Sequence, residues 1–213
     1  MANSAQFYEQ MAARTAEQIT GSYQEWTAFL ATAARLYKYP YHEQLMIYAQ
    51  RPEATACAEY DFWNKRMRRY VRRGSRGIAL VDSSGEKPSL RYVFDVADTG
   101  GGDNARRPYL WQLQDEHMGT VLRALEARYE VSGGDGLEYQ LELVADRLVK
   151  DYWEDHQRDI LSIVDGSFLE DYDDYNVEVA FRNAASTSIT YTLMARCGLD
   201  PTYFGHEDFL SVF

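Results

Sequence analysis

Apolar residues recur at helical spacing over the first fifty positions. Residues 5–19 predict a polar helix with Phe7, Met11 and Ala12 on its weak apolar side. Ser22 is placed to cap a second helix, along which Trp26, Phe29, Leu30, Ala33 and Leu36 return every three or four residues. Trp26 and Phe29 are its expected core anchors. Pro40 holds Tyr39 out of helical geometry and opens a third helix from about Tyr41 to Gln50, which Arg51-Pro52 ends. A short helix is expected from about Ala58 to Arg69, with Asp61 as a point where it can be reset.

The period then drops to two. Ile78, Ala79, Leu80 and Val81 form a strand-like run, and residues 83–88 are a turn cluster. Leu90, Tyr92, Phe94 and Val96 then alternate with Arg91, Val93, Asp95 and Ala97, which predicts a β-hairpin with one buried face. The glycines at 100–102 begin a flexible loop. From about Glu116 the helical period returns, with Met118, Val121, Leu122 and Leu125 in one stripe. A glycine-rich break at 133–136 precedes a longer helix containing Leu141, Val144, Leu148 and Trp153. Further helices are expected at roughly 157–165 and 173–196, with Gly198 as the C-cap before Asp200-Pro201. A last segment begins near His206 and reaches Phe213 without a helix-ending signal, so a longer polypeptide is expected. The pattern predicts an α+β protein, mostly helical, with a small antiparallel β-hairpin or sheet in the middle and an acidic helical C-terminal half. Two domains are expected, at 1–115 and 116–213.

Charge changes this picture more than composition does. The 213 residues are 46% hydrophobic, enough for a sizeable core, and carry a net charge of -11. On average such a chain repels phosphates. The charge is segregated, however. Residues 64–76 hold Lys65, Arg66, Arg68, Arg69, Arg72, Arg73 and Arg76 and no acid. Residues 135–178 hold 14 acids against Arg147, Lys150 and Arg158. That excess equals the net charge of the chain, so the remainder is neutral on average and contains one concentrated basic segment. Arginines at this density neutralise phosphates and release their counterions. Tyr60, Phe62, Trp63 and Tyr70 lie in or beside the run, and single-strand binders combine such charge with aromatic platforms. The plainer alternatives are a solvated arginine face or a partner for the acidic half of the same chain and, for Trp63, a place in the core.

Recognisable catalytic chemistry is missing. No HExxH pair, phosphate-binding loop or nucleophile elbow occurs, and His42, His117, His156 and His206 are isolated. Cys57 and Cys197 have no metal spacing and suit a reducing compartment. Acid pairs such as Glu154-Asp155 and Asp173-Asp174 fit solvated faces. The start of the chain, with Glu9 and Glu17, lacks the apolar core of a secretory signal, and no apolar run approaches a membrane span. A cytoplasmic protein without enzyme activity, metal or cofactor is expected.

Several short motifs fall in a fixed order: Tyr39-Pro40-Tyr41-His42-Glu43-Gln44-Leu45, then Gln50-Arg51-Pro52 with Ala54 and Ala56, then Trp63. Val71, Gly74, Gly77 and Ile78 follow, and then Val93-Phe94-Asp95-Val96 with Asp98-Thr99. This ordered set, from about Trp26 to Trp111, resembles the N-terminal domain of ArdC-type antirestriction proteins, which binds single-stranded DNA. Similar domains head very large helicase- and methylase-like proteins of Firmicutes conjugative elements. The tail, with Ser188, Tyr191 and Arg196-Cys197-Gly198-Leu199-Asp200, looks like that larger version. The resemblance implies a mobile-element protein acting with further C-terminal domains. It implies single-stranded DNA on the basic segment, where residue chemistry makes Lys65, Arg66, Arg68, Arg69, Arg72, Arg73 and Arg76 the expected phosphate contacts and Trp63 and Tyr70 the stacking candidates. The metallopeptidase-like domain of ArdC is not matched, and the acidic half departs from that family. A second hypothesis therefore stands beside DNA binding: the acidic helices mimic DNA and occupy the cationic groove of a host defence nuclease. A structural adaptor within a larger polypeptide is the third.

Overall fold

The computed structural model describes residues 4–82, 85–132, 136–209 and 212–213. Parts of the expected breaks at 83–88 and 133–136 lie outside the described residues. The fold is α+β and divides into two compact units, Met1–Trp111 and Gln112–Phe213. The expected boundary after residue 115 falls within a 3-10 turn, Asp115–His117, that belongs to the second unit.

The first unit begins with three helices, α1 (Ser4–Ile19), α2 (Tyr23–Arg35) and α3 (Tyr41–Gln50). Ser22 caps α2 by accepting the Glu25 amide at 3.3 Å. Phe29 is buried, with the rings of Tyr41 and Tyr48 edge-on to it, and Trp26 is half-buried beside it. Arg35 donates to the carbonyls of Pro52 and Ala54, tying α2 to the segment that leaves α3.

Three strands form an antiparallel sheet in the order β1 (Cys57–Glu59), β4 (Ser89–Asp95), β3 (Ile78–Asp82). Gln50 at the end of α3 covers the outer edge of β3: its side-chain amide donates to the Ala79 carbonyl and accepts from the Ala79 N–H, both at 2.9 Å. An otherwise open strand edge is thereby closed by a side chain. A separate two-stranded pair joins β2 (Tyr70–Val71) to β5 (Thr99–Gly100).

Two expectations for this unit are corrected. The helix expected from Ala58 to Arg69 is a strand, β1, followed by one wide turn of π type, Phe62–Arg66, which the Met67 N–H closes onto the Phe62 carbonyl at 3.1 Å. Pairing of Cys57, Ala58 and Glu59 with Asp95, Phe94 and Val93 takes those residues away from helical geometry. The hairpin is present, with Ile78 to Val81 of β3 all buried, but on β4 the buried residues are Val93 and Asp95, while Tyr92 is exposed. The carboxylate of Asp95 accepts the backbone amides of Thr55 (2.7 Å), Ala56 (2.9 Å) and Ala97 (2.9 Å). Burying this acid satisfies three main-chain donors and fixes which face of β4 turns inward.

The second unit is helical. It comprises α4 (Met118–Tyr129), α5 (Leu137–Ser162) and α6 (Asp174–Cys197), with 3-10 turns at Pro201–Tyr203 and His206–Phe209. Leu137, Leu141 and Met194 are buried together, with Val121, Leu122 and Leu125 of α4 packed against them. Asp173 caps α6 through the Asn176 amide, and Gly198 ends it with φ 77°, a conformation that favours glycine. The helix expected at 157–165 is instead the continuation of α5. No glycine or proline interrupts residues 137–162, and Arg147–Asp151 and Lys150–Glu154 pair one turn apart along it.

Candidate nucleic-acid interface

The basic segment is held on the first unit by its own backbone. The Arg69 amide bonds the Trp63 carbonyl at 2.8 Å, and the Arg72 amide bonds the Asp98 carbonyl at 2.8 Å. Arg68, just before the first of these, adopts φ 53°, in the left-handed region. β2 then pairs with β5, so that Tyr70 lies opposite Gly100. Gly74 turns the chain with φ 91° and delivers it to β3.

The structure divides the nine site residues expected from sequence into three groups. Trp63 is corrected from stacking candidate to core residue: it is 2% exposed, and its indole N–H donates to the Phe94 carbonyl at 2.9 Å. No face of that ring is open to a base. Three of the cations are engaged internally. Lys65 pairs with Asp61 at 2.6 Å, Arg69 donates to the Thr99 hydroxyl at 2.8 Å, and Arg72 donates to the Ala97 carbonyl at 2.8 Å. The remaining cations, Arg66, Arg68, Arg73 and Arg76, are exposed and have no ion pair or side-chain hydrogen bond among the described residues. Tyr70 is 58% exposed beside them.

Most acids near the segment are occupied elsewhere; Asp103, in the following turn, is exposed. Asp95 is buried on main-chain amides, as described, and Asp98 is paired with Arg51. Arg51 also approaches Glu53 at 3.7 Å, and its guanidinium is held more basic than usual, chiefly by the hydrogen bond to Asp98. Glu43 and Glu59 both pair with Arg91, at 2.6 and 3.5 Å. None of these acids, Asp95, Asp98, Glu43 or Glu59, is bonded to Arg66, Arg68, Arg73 or Arg76.

One stretch beyond the predicted segment joins it. The Arg106 amide donates to the Met67 carbonyl at 2.8 Å, which brings Arg106 beside the basic segment. Arg106, Arg107 and Tyr109 are exposed, Tyr109 by 80%. The Arg106-Arg107 doublet after the glycine run was the available sequence signal. Its proximity rests on a main-chain bond that residue types do not reveal.

The half-buried Cys57 thiol is pushed up to about 12, first by burial and then by the neighbouring Asp95 carboxylate, which disfavours the thiolate. Among the described residues no cluster of three His, Cys, Asp or Glu side chains could hold a metal ion, and no helix is long and apolar enough to cross a membrane. A cavity of about 560 Å³, lined by Met11, Arg14, Glu25 and Tyr48 among others, contains none of the basic segment. Comparison with family models, with curated proteins and with solved structures gives no match.

Proposed function

We propose that the first unit is a non-catalytic module that binds single-stranded DNA for a mobile-element protein of the antirestriction or conjugation type. The observation that carries this reading is the set Arg66, Arg68, Arg73 and Arg76, exposed and unpaired among the described residues, next to the exposed ring of Tyr70. Guanidinium groups without a protein partner keep their full capacity for phosphate. An adjacent aromatic platform favours a strand whose bases are unstacked. The unit as a whole holds 15 Lys and Arg against 12 Asp and Glu, whereas the second holds 7 against 21, so the acidity of the chain does not lie in the unit that would bind. The resemblance of the motifs between Trp26 and Trp111 to the ArdC N-terminal domain supports DNA as the polymer and conjugation or antirestriction as the setting.

Fluorescence anisotropy with labelled oligo-dT over a salt series tests the proposal. Each phosphate neutralised on a single strand contributes roughly 0.7 to the slope of log K against log salt. Replacing Arg66, Arg68, Arg73 and Arg76 by Ala is expected to reduce the slope by about 2.8. Absence of binding at low salt, or an unchanged slope in that variant, would refute it.

A second reading is favoured by the second unit. The acids Asp146, Asp151, Glu154, Asp155 and Asp159 are all exposed along α5, and the unit's excess of acids over bases is large. In this alternative, the acidic helices occupy the cationic groove of a defence nuclease. Inhibition of a nuclease by a chain that does not bind DNA would select it.

A further inference from the structure

We infer that residues 101–109 form a second rail of the same site, with Arg106 and Arg107 as additional phosphate contacts, and that Tyr70 is the platform that selects unstacked bases. The inference rests on the DNA-binding reading above and extends it to residues outside the basic segment.

Three contacts fix the rail. The Arg106 amide is bonded to the Met67 carbonyl at 2.8 Å, between the free arginines 66 and 68. The Ala105 amide closes a turn onto the Gly102 carbonyl at 2.9 Å, which makes Asp103 and Asn104 its central residues. At Gly101 a Cβ would stand 2.2 Å from the Ala105 Cβ and 3.6 Å from a guanidinium nitrogen of Arg69. The turn is thus tightly folded beside Arg69, which is itself held by Thr99. Arg106 and Arg107 are exposed, without an ion pair among the described residues, so six free guanidinium groups lie along two adjoining backbone segments.

Tyr70 sits at the junction. It is paired across β2 and β5 with Gly100, where a Cβ would come within 2.6 Å of the tyrosine ring. The absence of a side chain at position 100 lets the ring lie over the backbone, yet the residue stays 58% exposed. An aromatic ring supported from below and open above suits a stacked base. A duplex keeps its bases stacked on one another and offers only its phosphates to the same arginines.

The test compares the full chain with two variants, using labelled oligo-dT and a labelled duplex. Replacing Arg106 and Arg107 by Ala is expected to lower the oligo-dT salt slope by about 1.4. Tyr70→Ala is expected to weaken oligo-dT binding roughly 5- to 150-fold while duplex binding changes little, and Tyr70→Phe is expected to retain it. If the Arg66, Arg68, Arg73 and Arg76 variant loses slope but the Arg106 and Arg107 variant does not, the second rail is wrong and the DNA-binding reading stands. If Tyr70→Ala weakens both polymers equally, the selecting role of Tyr70 is wrong. If the parent binds neither polymer, both proposals fail together.

Discussion

Asp95→Ala is expected to destabilise the first unit more than almost any other single change there. The side chain is 2% exposed and accepts three backbone amides, those of Thr55, Ala56 and Ala97. A hydrogen bond to a charged acceptor contributes about 1.5–3 kcal/mol, and an orphaned buried donor costs about 1–3 kcal/mol. Water entering the vacated space would satisfy part of the loss, which leaves about 3–5 kcal/mol. That is comparable with the whole stability of a small domain, about 5–15 kcal/mol. Asp95→Asn keeps one oxygen for Thr55 and Ala56 but turns an amide donor toward the Ala97 N–H, so about 1–2 kcal/mol is expected. The effect also reaches the candidate interface. The 3-10 turn Val96–Asp98 and the start of β5 follow Asp95 directly and carry the carbonyls of Ala97 and Asp98 that hold Arg72. Urea denaturation gives the size of the loss, and amide hydrogen exchange gives its place. Protection at Thr55, Ala56 and Ala97 is expected to fall by roughly two to four powers of ten in Asp95→Ala. An unchanged unfolding midpoint with intact protection at those amides would refute the role given to this carboxylate.

Other outcomes follow from the same geometry. Trp63→Phe keeps an aromatic ring in the core but removes the indole donor to the Phe94 carbonyl; a loss of about 1–2 kcal/mol in urea denaturation is expected, with oligonucleotide affinity unchanged. Weaker binding at unaltered stability would return Trp63 to the stacking set. Cys57 in the native protein is expected to react slowly with iodoacetamide at pH 8 and faster once unfolded; rapid native alkylation would contradict its raised pKa. Because its folded pKa is raised from an ordinary 9.0 to about 12, the stability this thiol contributes is complete below about pH 9 and is lost as pH rises toward 12. Tyr39, whose hydroxyl donates to the Cys57 carbonyl at 2.8 Å, is raised in the same direction, mainly by burial, and adds to that alkaline loss. A pH series of thermal melts, flat from pH 8 to 11, would contradict both assignments.

Local signals located much of the architecture. Ser22, Pro40, Arg51-Pro52 and Gly198 each act on a neighbouring turn, and the helices they bound are found where those residues put them. What local pattern missed was set at long range. Cys57, Ala58 and Glu59 are a strand only because β4, more than thirty residues away, pairs with them. Hydrophobicity alone would turn Leu90, Tyr92 and Phe94 inward, but three main-chain amides need the Asp95 carboxylate, and the opposite face is buried. The basic segment was visible as composition, yet composition could not separate the free arginines from Arg69 and Arg72, whose partners lie on β5 and the turn before it. It also gave no hint that Arg106 lies beside Met67, because a backbone amide makes that contact.

The central claim concerns what the free arginines contact, and the salt dependence of oligo-dT binding measures it most directly. The account predicts measurable binding at low salt, with a slope that falls by about 2.8 when Arg66, Arg68, Arg73 and Arg76 become Ala. It also predicts little change when the internally bonded Lys65 is replaced. Equal slopes in the parent and the four-arginine variant would contradict it.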